Sequence, residues 1–149
     1  MLRLSKKADY ALIAMKHLAQ KSEAVSVSAR EIAEKYDIPL ELMAKVLQRL
    51  VRTGLLASHQ GTRGGYSLSR SSATISVADV IQAIDGPFTV TACSTESDAG
   101  CEQYGKCSIR DPLWRIKERI VATLGTVSLA EMATEGEAPQ PAPVMILRT

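Results

Sequence analysis

Cys93, Cys101 and Cys107 are the only cysteines of the chain, separated by seven and then five residues. An odd number of thiols, with no secretory leader ahead of them, does not suit a disulfide framework. The close C-x2–4-C pairs that zinc ribbons and knuckles use are missing, and His17 and His59 lie far away along the chain, so a zinc site is poorly served. Three thiols on one loop, with Gly100 and Gly105 to let it turn, suit a body larger than a single ion. Iron–sulfur clusters are such bodies, and thiolates are their usual protein ligands. A redox-active thiol switch fits the same spacing, because a loop position also favours thiol reactivity.

The cysteines need elements to position them. Residues 88–110 lose hydrophobic periodicity and gain Gly, Ser, Thr, Asp and Cys. A loop of this length in a compact domain points to a function or a ligand. After Pro112 a long amphipathic helix is predicted, with Leu113, Ile116, Ile120, Val121 and Leu124 in one stripe and Trp114 beside it. A small domain leaves such a stripe little of its own core to cover, so Leu113, Ile116, Ile120 and Leu124 are expected to pair with a second copy of the chain. Ser128-Leu-Ala-Glu131 signals a last short helix. The tail from residue 134 carries Pro139, Pro141 and Pro143 among polar neighbours and is expected to be disordered.

The first half of the chain reads as a nucleic-acid-binding head. Ser5 opens a helix whose inward face is placed at Tyr10, Ile13, Ala14, His17 and Leu18. Ser28 and Glu31 form a capping-box pattern ahead of a helix over Ala29–Tyr36. Asp37-Ile38-Pro39 breaks it, and a third helix runs from Leu40 to about Thr53, with Gly54 as its stop. Met43, Val46, Leu47, Leu50 and Val51 form its apolar stripe; Lys45, Gln48, Arg49 and Arg52 face outward. Two short helices joined by a tight turn, the second with a basic and amide outer face, make a helix-turn-helix. The residues after it read as strand, glycine-rich turn and strand, with Gly61-Thr62-Arg63-Gly64-Gly65 at the tip. A hairpin in this place is a wing, and Arg63 is placed to neutralise phosphate or enter a minor groove. The tip lacks the lysine and the serine or threonine of a phosphate-binding P-loop. Ser76 and Asp79 cap a further helix over Val77–Ile84, ended by Gly86-Pro87.

Whole-chain quantities agree with this division. The 149 residues are 46% apolar and 23% charged, enough for a core. No run approaches the roughly 18 apolar residues of a membrane span, and Arg3, Lys6, Lys7 and Asp9 interrupt any leader-like start, so a cytoplasmic chain is expected. Residues 1–75 carry twelve Lys and Arg against six Asp and Glu, and residues 76–149 carry six against ten. A net charge of +6 in front and −4 behind suits a nucleic-acid-binding head followed by a different module. One Trp, four Tyr and one Phe, not interleaved with a basic stripe, disfavour single-strand stacking. No Ser/His/Asp set, paired catalytic carboxylates or cofactor fingerprint marks an enzyme.

The ordered set of motifs resembles the bacterial winged-helix iron–sulfur transcriptional regulators of the IscR/NsrR-like family over residues 1 to about 133. Its carriers are Leu2-Arg3-Leu4-Ser5 with Asp9-Tyr10-Ala11, Arg30-Glu31-Ile32-Ala33, Val46-Leu47-Gln48-Arg49-Leu50 and Arg63-Gly64-Gly65-Tyr66-Ser67-Leu68. Ile75-Ser76-Val77-Ala78-Asp79 with Gly86-Pro87, the three cysteines, Trp114 and Ser128-Leu129-Ala130-Glu131-Met132 complete it. The opening residues, Cys93-Ser94 and Cys107-Ser108-Ile109-Arg110 look most like regulators of the SUF iron–sulfur assembly system.

The resemblance implies a homodimer on a palindromic double-stranded operator. It also implies an iron–sulfur cluster near the dimer interface, held by Cys93, Cys101, Cys107 and a fourth ligand; the cluster type and that ligand do not carry over from the family, and 2Fe–2S is slightly favoured over 4Fe–4S. Two departures matter: the first cysteine gap is longer than in the IscR-like members, and Arg110 stands where they carry a histidine. Asp9 is favoured as fourth ligand because it resembles the position from which NsrR-like members reach across the dimer; Asp111 is the competitor.

The expected fold is mainly α with a small β-wing, a winged helix-turn-helix domain plus a long C-terminal dimerisation helix. The expected divisions are 1–87 for the DNA-binding domain, 88–110 for the cysteine loop, 111–133 for the dimer and short helices, and 134–149 for the tail. Arg30, Lys45, Gln48, Arg49, Arg52, Arg63 and Tyr66 are the expected DNA contacts. The expected function is repression of iron–sulfur assembly genes, with a nitric-oxide or redox sensor on the same loop as the alternative.

Overall fold

The computed structural model describes residues 3–22, 24–91, 93 and 101–134. Its elements in chain order are α1 (Lys6–Ala19), α2 (Ala29–Lys35), α3 (Leu40–Arg52), β1 (Leu56–His59), β2 (Gly65–Leu68), α4 (Val77–Asp85), α5 (Arg110–Thr126) and α6 (Leu129–Thr134). The fold is mainly helical with one two-stranded wing. The expected tail of 134–149 lies outside the described residues beyond Thr134.

Helix starts follow their caps. The Ser5 hydroxyl accepts from Ala8 N–H, Ser28 from Glu31 N–H and Ser76 from Asp79 N–H. Each such cap contributes about 1 kcal/mol. The full reciprocal box forms at α4, where Asp79 also accepts from Ser76 N–H. At α2 only the serine half forms, because Glu31 faces α1 instead, with Oε1 3.7 Å from Lys21 Nζ and 3.8 Å from His17 Nε2. α5 begins at Arg110, ahead of the expected start after Pro112, which places Pro112 in the first turn. The missing N–H costs nothing there, because first-turn N–H groups have no intrahelical partner.

α1 lies at the centre of the core. Its buried face is Ala8, Ala11, Ala14, Met15, His17 and Leu18. Of the expected face, Ala14, His17 and Leu18 are buried, whereas Tyr10 and Ile13 pack at the margin; Ala8, Ala11 and Met15 join the centre, the small alanines letting the neighbouring helices approach. Met43, Val46, Leu47 and Leu50 of α3 fill the other side, with Val51 only partly buried. Truncating one of these fully buried side chains, such as Leu47, to alanine costs roughly 2–5 kcal/mol.

The wing is antiparallel, pairing Leu56 with Leu68 and His59 with Gly65. Its return strand also pairs with the segment before α2. Val27 N–H donates to the Tyr66 carbonyl at 2.9 Å, and Tyr66 N–H donates to the Val27 carbonyl at 2.8 Å. A Cβ on Gly65 would lie 2.5 Å from the Val27 carbonyl oxygen, so only glycine permits this approach. Gly54, at φ +83°, ends α3 as expected.

The division expected at residue 87 is not a division of the core. Leu129, fully buried, belongs to the same hydrophobic cluster as Met15 and Leu50. Ser128 pairs with Ser76, and Leu129 N–H donates to the Ile75 carbonyl at 2.9 Å. α6 therefore completes the winged domain, and α5 is a long excursion between two parts of it.

Candidate DNA interface and cysteine loop

α3 turns its apolar stripe inward and exposes Lys45, Gln48, Arg49 and Arg52. Gln48 and Arg52 line a groove of about 550 Å³ closed by the start of α2 and the wing, where Ser28, Ser58, His59 and Tyr66 complete the wall. Its polar groups are amide, hydroxyl, imidazole and guanidinium, the donors and acceptors that meet phosphates and base edges. Arg30, on the first turn of α2, is exposed and 3.9 Å from Glu34. Arg63 is exposed at the wing tip, where the Ser26 hydroxyl fixes its backbone by donating to its carbonyl at 2.7 Å. Wing and helix-turn-helix are thereby held as one body.

Arg49 has a second engagement. Its Nε donates to the Ala83 carbonyl at 3.0 Å, near the end of α4. One N–H of the guanidinium thus steadies α3 against α4, while the side chain stays exposed and its Nη groups are not part of that bond.

His17 is the one buried polar side chain among the described residues, 1% exposed. Its Nδ1 lies 3.0 Å from the Tyr36 hydroxyl, and the two rings meet edge to face. Its Nε2 has no hydrogen-bond partner. Burial first, then Lys35 and Lys21, push its pKa below the ordinary histidine value, while Glu31 pulls weakly the other way. The ring is a neutral core member, joining α1 to α2. His59, by contrast, is exposed on the wing, with Nε2 2.8 Å from the Ser67 hydroxyl.

The three thiols are free. Cys93 and Cys107 are half-buried and Cys101 is exposed. Cys93 Sγ lies 3.2 Å from the Thr91 hydroxyl, and Cys101 Sγ donates to Gln103 Oε1 at 3.7 Å. The described residues hold no preformed group of three or more metal-binding side chains. Residues 94–100, which join Cys93 to Cys101, lie outside them. The chemistry of the donor set nevertheless fits an iron–sulfur cluster: three unpaired thiols, no disulfide, and glycine within the loop.

Of the two carboxylate candidates, Asp111 is held by Arg110, whose Nε donates to Oδ1 at 3.3 Å. That bond, then Tyr104, holds the Arg110 pKa above its ordinary value. Asp9 is half-exposed on the first turn of α1, 4.0 Å from Lys6.

α5 buries none of its residues fully. One side, at Lys117, Glu118 and Val121, meets Gln82, Pro87 and Phe88 around α4. The other side carries Ile116, Ile120 and Leu124, with Arg119 and Thr123, around an apolar hollow of about 290 Å³. Ile116 is 46% exposed. Trp114, where Lys117 Nζ stands 4.0 Å from the ring centroid, lies at the margin.

A recognition helix with a polar outer face and a wing locked to it define the winged-helix architecture of a DNA-binding regulator. The Rrf2 family model, described as an iron-dependent transcriptional regulator, matches residues 4–135. The HTH-type transcriptional regulator IscR of Xenorhabdus nematophila is 36% identical over 137 residues, covering 91% of this chain and 82% of that protein. IscR of Escherichia coli K12 is 34% identical, covering 91% and 83%. Among solved structures, T. potens IscR superposes with a TM-score of 0.70 at 28% identity, covering 93% of each chain. The global cysteine regulator CymR of B. subtilis superposes with a TM-score of 0.70 at 26% identity, covering 89% of this chain and 97% of that one. The chain belongs to the Rrf2 family. It is a DNA-binding transcriptional regulator and not an enzyme. No helix among the described residues is long and apolar enough to cross a membrane.

Proposed function

We propose that this chain is a cytoplasmic homodimeric repressor of iron–sulfur assembly genes, controlled by an iron–sulfur cluster on Cys93, Cys101 and Cys107. The observation that carries the reading is the set of three free thiols, the last three residues ahead of α5, in a chain about a third identical to proteins named IscR. The bound cluster, 2Fe–2S in this reading, would supply a group whose assembly and loss report the cell's iron and sulfide supply. The side chains supply the rest. The Ile116, Ile120 and Leu124 face, with Leu113, pairs two copies about a two-fold axis, which calls for a palindromic operator. Gln48, Arg52 and Tyr66 meet the operator in the groove, and Lys45 and Arg49 meet it on the exposed row of α3, with Arg30 and Arg63 on flanking phosphates. Asp9 is the proposed fourth ligand, given by the partner copy, because its place at the start of α1 resembles that from which NsrR-like members reach across the dimer; Asp111 is the competitor.

The test is anaerobic purification with a visible spectrum and iron and sulfide counts, on wild type and on Ser substitutions at each cysteine. Wild type is expected to be coloured, and each substitution to bleach it without loss of helical signal or dimerisation. Replacement of any of the three with iron and sulfide fully retained removes that residue from the ligand set.

A second reading, a nitric-oxide or redox sensor, is favoured by the exposure of the free Cys101 thiol. It predicts DNA affinity that changes on thiol oxidation or nitric-oxide treatment and not with iron supply.

A further inference from the structure

Arg110 stands three residues after Cys107 and opens α5. Its side chain makes three contacts. Nη1 donates to the Tyr104 carbonyl at 3.2 Å. The guanidinium lies over the Tyr104 ring, 4.6 Å from its centroid. Nε donates to Asp111 at 3.3 Å. Tyr104 opens a 3-10 turn, Tyr104–Lys106, between the second and third cysteines. Tyr104 N–H donates to the Cys101 carbonyl at 3.1 Å and Lys106 N–H to the Gln103 carbonyl at 3.0 Å. One guanidinium therefore grips both the backbone and the ring of a turn that Cys101 and Cys107 flank, while its own backbone belongs to the first turn of α5.

We propose that Arg110 is a positioning residue that clasps the Tyr104–Lys106 turn to the start of α5, presenting Cys101 and Cys107 in a preset arrangement and linking them to the helix. The proposal rests on the cluster reading above. An arginine has donors and no acceptor lone pair, so it is no iron ligand. Its planar fork does what a lysine cannot do at once: stack on a ring and direct a separate N–H at a carbonyl. The exposed pair with Asp111 adds little energy and serves to orient the fork.

The test is amide hydrogen exchange on the iron-depleted full chain, with visible circular dichroism on the anaerobically purified full chain. Arg110→Ala is expected to speed exchange at Tyr104 and Lys106 by ~10-fold or more, a local opening that leaves residues 117–124 unchanged. Arg110→Lys keeps the charge and is expected to behave nearly as alanine does. In the loaded protein both variants keep wild-type iron and sulfide per monomer, change the shape of the visible dichroism and lose colour in air several-fold faster. Unchanged exchange in Arg110→Ala, or full rescue by lysine, overturns the clasp. Faster exchange with unaltered dichroism and colour loss overturns its bearing on the cluster. A wild-type chain that carries no iron or sulfide after anaerobic purification overturns the underlying cluster reading, while the exchange result still judges the clasp by itself.

Discussion

Arg49 and Arg63 both belong to the basic half of the chain, yet their surroundings give them different tasks. Arg63 stands exposed at a wing tip, whereas the Arg49 Nε is tied to the Ala83 carbonyl. Arg63→Ala is expected to weaken binding to operator and scrambled DNA alike and to reduce the salt slope by about one. Gln48→Ala is expected to cost about 1–3 kcal/mol of discrimination at one base pair. Arg49→Ala is expected to lower stability by about 1 kcal/mol, the worth of a partly buried hydrogen bond, and to relax selectivity as well. Gel shifts at several salt concentrations, with thermal melts, check all three; lost stability at Arg49 with unchanged selectivity would remove it from the base-reading set. The exposed row of α3 was legible because helical period alone separates Gln48 and Arg52 from Leu47 and Leu50. The tie from Arg49 to α4 was not, because it joins residues 34 apart, and no local pattern encodes such a contact.

His17 carries a pH dependence of its own. Its folded pKa is lowered, so the unfolded chain takes up the proton first. Its contribution is fully present above about pH 6.5, the unfolded value, and is lost as pH falls from there toward the folded value. The loss reaches at most about 1.4 kcal/mol per pH unit. Denaturant unfolding of wild type and His17→Gln across pH 7.5 to 5.5 is expected to show a steeper decline for wild type. Parallel profiles would contradict a neutral buried imidazole. That His17 is a core residue was readable from its place on the inner side of α1; its orphaned Nε2 and the Tyr36 contact were not.

At the scale of elements, α5 decides the assembly. Ile116, Ile120 and Leu124 form an apolar face with no partner within the described chain. Ile120→Glu puts a charge where a second copy would bury it, with a desolvation cost the partner does not offset. The variant is expected to sediment as a folded monomer and to bind operator far more weakly. A folded Ile120→Glu dimer would place the interface elsewhere. Helices, caps and wing followed from periodicity, from Ser5, Ser28 and Ser76, and from the glycines of the hairpin. Three features did not follow. The α1 face is built on alanines, which carry little hydrophobic signal. α5 starts ahead of Pro112, because a first-turn proline does not break a helix. α6 joins the first core through Leu129, a long-range contact with no local mark.

At the scale of the molecule, the topology connects the cysteines to the DNA-binding surface. The cysteine loop lies between α4 and α5, α4 is tied to α3 by Arg49, and α6 carries the chain back beside α1. A change in the loop therefore has a short covalent and packed route to the recognition helix. Coupling between two such sites is typically 5–150-fold in affinity. The most direct test is the affinity of the cluster-loaded and iron-depleted dimers for the promoter of the assembly genes, measured anaerobically at one salt concentration. The account predicts a difference of about fivefold or more between the two forms, abolished when Cys93, Cys101 and Cys107 are all replaced by serine. Equal affinities, in a dimer shown to carry iron and sulfide, would contradict control by the cluster.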